Sequence, residues 1–163
     1  MKKTILLPAF LCVISSVAIA QTPTHCEPGE TVVFSCSLGK KTVSVCASPN
    51  HSPTEGYLQY RFGGLGKVEM TYPAKKEHPR DLFTAFYATP VMDDGSRAMV
   101  VSLEFGVNDY GYEIITLAKT DTSETELIVT KAGKNLATLK CLPQSIIRAD
   151  LSYMDVLTSF GLD

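Results

Sequence analysis

No tryptophan occurs among the 163 residues, histidine appears only three times, and the formal charge is −2. So weak a charge excludes binding to nucleic acid or to an anionic lipid surface by electrostatic attraction alone. Past residue 20 no apolar run approaches the ~20 residues of an integral membrane helix. At 45% hydrophobic and 20% charged residues, the chain is equally unlike a disordered polymer. Catalytic signatures are missing too: there is no G-x-S-x-G elbow, H-E-x-x-H helix, P-loop or G-x-G-x-x-G run. The absence of any C-x-x-C pair removes the common zinc patterns, and no metal or other cofactor is expected.

The amino terminus supplies the first positive signal. Lys2 and Lys3 precede an apolar run from Ile5 to Ile19, which ends in the small-x-small sequence Ala18-Ile19-Ala20. This predicts a signal peptide over residues 1–20 and a secreted or periplasmic product with no integral membrane segment after cleavage. Bulky Phe10-Leu11 precede Cys12 where a lipoprotein signal wants small residues, so Cys12 is assigned to the leader. Residues 1–20 hold two lysines and no acid, which leaves 143 residues with 13 basic and 17 acidic side chains, a net charge of −4. A chain of that length buries roughly two thirds of its unfolded surface, enough for one core. A single domain over residues 21–163 is expected.

Cys26, Cys36, Cys46 and Cys141 remain, an even number in a chain marked for export, and two disulfides are predicted. Four cysteines allow three pairings. Thr31-Val-Val-Phe-Ser-Cys36 and Thr42-Val-Ser-Val-Cys46 read as strands joined by the Gly-containing loop Leu38-Gly39-Lys40-Lys41. In an antiparallel hairpin the start of the first strand lies beside the end of the second. That brings Cys26 to Cys46 and leaves Cys36 for Cys141.

Alternation continues along the chain. Residues 56–62 and 67–72 form a second hairpin about Gly63-Gly64-Leu65-Gly66, residues 73–81 read as an exposed loop, and residues 81–90 favour a strand. Met99, Val101, Leu103 and Phe105 alternate with more polar neighbours, and strands follow over residues 112–117, 124–130 and 136–141. Short strands separated by turns define an all-β domain, an antiparallel sandwich or barrel of about eight strands. The period changes at the end. Ile146, Ile147, Leu151, Met154 and Leu157 recur every three to four residues, with Ser145 and Ser152 as N-caps, so a short C-terminal helical segment is expected over an open edge or end of the sheet.

His25-Cys26, Phe34-Ser35-Cys36, Val43-Ser44-Val45-Cys46 and Tyr57-Leu58-Gln59-Tyr60-Arg61-Phe62-Gly63 together resemble a set of uncharacterised small exported cysteine-containing proteins of Gram-negative bacteria. The resemblance spans mainly residues 25–72 and implies a compartment without implying a chemistry. A fainter likeness, confined to residues 33–45, is to periplasmic lysozyme inhibitors. Those proteins use a Ser-Gly loop, and no Ser-Gly dipeptide occurs here, so no inhibitory residue carries over.

No catalytic residue is assigned. His51 and His78 stand in polar loops, and Asp93-Asp94 beside Gly95 reads as a turn. The candidate binding residues are Tyr57, Arg61, Tyr110 and Tyr112, amphipathic groups able to anchor an envelope or extracellular protein or a glycan. Alternation places Tyr57, Gln59 and Arg61 on an exposed face, and Leu58, Tyr60 and Phe62 toward the core. The expected function is a noncatalytic binding or inhibitor-like module. The alternatives are a hydrolase assembled from distant loops, marked by His51 or His78 beside a buried carboxylate and a hydroxyl, and a structural envelope component.

Overall fold

A computed structural model describes residues 23–147 and 151–162; the leader expected over residues 1–20 lies outside them. The β-branched run after Glu30 forms β1 (Thr31–Ser37), which pairs antiparallel with β2 (Thr42–Ala47) across residues 38–41. Next come β3 (Leu58–Gly64) and β4 (Lys67–Tyr72), and the four strands stand in sequence order in one sheet. A second meander holds β5 (Thr84–Ala88), β6 (Met99–Val107), β7 (Tyr110–Ala118), β8 (Ser123–Lys131) and β9 (Lys134–Lys140). Among the described residues nine strands are present where about eight were expected, and two separate sheets make the architecture a sandwich. Its tight turns follow local chemistry. Asn108, at φ +57°, turns β6 into β7, and Ala132-Gly133, both at positive φ, turn β8 into β9.

Period-two alternation sends Phe34, Val43, Val45, Leu58 and Tyr60 from one sheet and Val101, Leu103, Phe105, Ile114 and Leu127 from the other into a single core. Rings hold its centre: Tyr60 lies 4.8 Å from Phe105, and Tyr72 stacks on Phe105 at 4.5 Å. Thr116 and Thr125 are also buried there, and their hydroxyls hydrogen-bond each other at 2.9 Å, so neither is left unpaired.

The carboxy-terminal chain covers an edge, as expected, but Ile146 and Ile147, whose spacing predicts helix, are extended there and Ile147 bridges β1 instead. Ser35 exchanges backbone hydrogen bonds with Ile147, and Leu142 N–H donates to Ser37 O, so residues 142–147 seal the outer side of β1. Helix α1 (Leu151–Ser159) follows, with Tyr153 edge-on to Phe34 at 6.0 Å. The caps differ from expectation. Ser145 closes a 3-10 turn at Pro143–Ser145 and accepts Ser37 N–H, while Ser152 is the second residue of α1. An unpaired edge N–H on β1 competed for the Ser145 hydroxyl and gained it.

Both predicted disulfides are present. Cys26–Cys46 ties the segment before β1 to the end of β2, and Cys36–Cys141 joins the two sheets. Such bonds belong to an oxidising compartment outside the cytoplasm. Among the described residues no helix is long and apolar enough to cross a membrane.

Candidate functional site

The expected Tyr57–Arg61 patch is largely internal. Alternation was read correctly, because Gln59 and Arg61 do share the face opposite Leu58 and Tyr60. That face, however, lies beneath residues 23–30 and forms a second, polar interior with Ser35 and Ser44. Arg61 grips the Glu30 carboxylate through two hydrogen bonds of 2.7 Å and donates further to His25 O and Gln59 Oε1. The two charged side chains are 5% and 4% exposed. Tyr57 hydroxyl donates to the same carboxylate at 2.8 Å, while Lys76 reaches it at 3.2 Å and covers the Tyr57 ring. Burial would raise the Glu30 pKa, but hydrogen bonds from Arg61, Glu27 N–H, Tyr57 and Lys76 outweigh it and lower the value from 4.5 to about 2. The expected exposure of Arg61 is therefore corrected: the guanidinium fastens the amino-terminal segment to the sheet.

Tyr110 and Tyr112 divide. Lys131 lies over the Tyr110 ring at 4.9 Å, so one aromatic face is already engaged. Tyr112 stacks on Phe105 at 4.9 Å and borders a cleft at the end of the five-stranded sheet. Among the described residues, neither His51 nor His78 meets a carboxylate in its hydrogen bonds. His51 Nδ1–H donates to Ser48 O at 3.0 Å, His78 Nε2–H donates to Ser52 O at 3.1 Å, and both rings pack against Phe160. Asp94 accepts from the Ser96 amide and hydroxyl, a turn interaction. Cys26, Glu30 and Cys46 lie within 4.8 Å of one another, but the two sulfurs are bonded together and offer no thiolate to a metal.

A cleft of about 500 Å³ opens at the end of the five-stranded sheet, between the connection at residues 80–83 and the strands β6, β7 and β8. Its position follows from register. Thr84, Glu104, Glu113 and Ile128 form one row across the outer face, and Gly106 lies opposite Gly111 in the next. The paired glycines leave β6 and β7 without side chains in that row, and a Cβ at Gly111 would lie 2.6 Å from the hydroxyl of its β8 partner Thr130. Glu104 and Glu113 are direct cross-strand partners, and among the described residues neither forms an ion pair. The one arginine at the rim, Arg80, donates instead to Pro53 O at 2.7 Å. Burial first, and the Glu104 charge second, raise the Glu113 pKa above the ordinary glutamate value.

Like charges directly opposite one another cost stability. Glu113→Gln is expected to stabilise the fold by about 0.2–1 kcal/mol at pH 7, measured by urea denaturation. The sign follows from linkage. A carboxyl whose pKa is raised on folding binds its proton more tightly in the native state, so the cost exists above the folded pKa and fades as pH falls toward the unfolded value. The gain from the substitution should therefore shrink near ~pH 4.

The glutamate pair escaped the sequence reading, although its signal was present. Counting outward equally from the Asn108-Asp109 loop sets Glu104 opposite Glu113. What no local pattern gave was the connection at residues 80–83 lying beside them. No protein-family model matches this chain, and neither a curated protein nor a solved structure shows significant similarity to it.

Proposed function

We propose that this chain is a secreted or periplasmic noncatalytic binding module whose cleft receives a cationic side chain, Lys or Arg, of an envelope or extracellular protein. The observation that carries this reading is the unneutralised Glu104–Glu113 pair facing one another at an open cleft. Two adjacent carboxylates match the charge and the donor fork of a guanidinium, which replaces their mutual repulsion with charge-assisted hydrogen bonds. An acidic mature chain steers toward a basic partner in the same sense. The leader-like amino terminus and the two disulfides support the compartment.

The test is a titration of the 15N-labelled protein with a short arginine peptide and with its citrulline counterpart, which keeps the shape and lacks the charge. The expected result is amide shifts at Glu104, Gly106, Gly111 and Glu113 with arginine only, weakened about tenfold or more by Glu104→Gln with Glu113→Gln. Affinity should fall on acidification, as Glu113 takes up its proton above the ordinary glutamate range. Equal shifts from both peptides, or none from either, would refute the cationic ligand.

A further inference from the structure

Two sheets have four edges, and their treatment is unequal. Residues 142–147 seal β1. The exposed strand β4 carries Lys67 and Glu69, and β9 carries a lysine at each end, Lys134 and Lys140, charges that discourage pairing with another strand. Strand β5 has no such protection. Thr84-Ala-Phe-Tyr-Ala88 contains no charge and no proline, and beyond its ladder with β6 its backbone makes no other backbone hydrogen bond among the described residues. It also displays Phe86 at 51% and Tyr87 at 46% exposure, the two largest aromatic exposures on the described surface.

The order of side chains decides what fits this edge. In an antiparallel two-fold pairing centred on Phe86, Phe86 meets Phe86 of the other copy, Tyr87 meets Ala85, and Ala88 meets Thr84. Each large side chain outside the centre faces a small one, no like charges meet, and the central pair is aromatic on aromatic, a favourable cross-strand combination. A two-fold contact must be self-complementary, and this five-residue sequence satisfies that condition. We infer that two copies of this chain associate through β5, antiparallel about Phe86, so that their five-stranded sheets become one continuous sheet. A ladder this short makes a small interface, so the association is reversible and concentration-dependent.

Analytical ultracentrifugation of residues 21–163 with disulfides intact, from ~10 μM to ~1 mM, tests it. A monomer–dimer equilibrium is expected, with Phe86→Lys weakening it about tenfold or more and Leu136→Lys, an exposed site on β9, leaving it unchanged. A second variant guards against misfolding of the first: Phe86→Cys should yield a disulfide-linked dimer on mild oxidation, and Leu136→Cys should not. A wild-type chain that stays monomeric throughout, dimers untouched by Phe86→Lys, or equal cross-linking from both positions would overturn the inference, including the case in which β5 instead accepts a strand from a different protein.

Discussion

Arg61→Met is expected to lower the free energy of unfolding at pH 7 by about 3–5 kcal/mol, because it strands the Glu30 carboxylate in a nearly sealed site. Lys76 at 3.2 Å and the Tyr57 hydroxyl still reach that carboxylate, which sets the loss toward the lower figure. Glu30→Gln combined with Arg61→Met should recover part of the loss, since no buried charge is then unpaired; the double-mutant cycle gives the coupling. The acid limb of the stability curve carries the same signature. A carboxyl depressed on folding contributes stability above its unfolded value, and that contribution disappears as pH falls from about 4.5 to about 2. Arg61→Met should flatten this limb, and urea midpoints measured across that range would show it.

Removing the inter-sheet disulfide should cost a similar amount. Cys36→Ala with Cys141→Ala frees a sequence separation of 105 residues, against 20 for Cys26 and Cys46. The chain-entropy relation gives about 4.7 kcal/mol for a loop of ~100 residues and about 3 kcal/mol for one of ~15–20. The longer bond is therefore expected to dominate, lowering stability by about 4–5 kcal/mol, with the shorter one costing about 3. Denaturation of the two double variants, read by near-ultraviolet circular dichroism, should rank them in that order. The reverse order would mean that the unfolded chain already holds the two sheets' ends together.

Much of this architecture is legible in local pattern. Alternation at Met99–Phe105 names the residues that enter the core. The β1–β2 hairpin sets Cys46 opposite Val32 near the start of β1, and the turn at residues 27–30 returns Cys26 to it. Face assignment on β3 is equally visible, yet exposure is not. A strand records which side chains share a side, whereas the cover over Gln59 and Arg61 comes from residues 23–30, brought there by a disulfide and by Arg61 itself. The cap assignment at Ser145 failed for a related reason, since its hydroxyl satisfies Ser37, distant in sequence. Of the four proposed binding residues, Tyr112 alone borders the cleft. Tyr57 and Tyr110 each carry a lysine of the same chain over the ring. Amphipathic side chains find internal partners as readily as external ones, and sequence spacing does not separate the two outcomes.

The cleft's role is tested most directly by site-specific photo-cross-linking in an envelope extract, with a benzophenone side chain at Thr84 or Thr130 on its border and a control at Thr122, exposed in the β7–β8 turn at the opposite end of the sheet. A basic protein should be cross-linked from the two border positions, absent from the control and lost when Glu104→Gln and Glu113→Gln are combined. Cross-linking that survives the loss of both carboxylates, or that is as strong from Thr122, would contradict recognition through this acidic cleft.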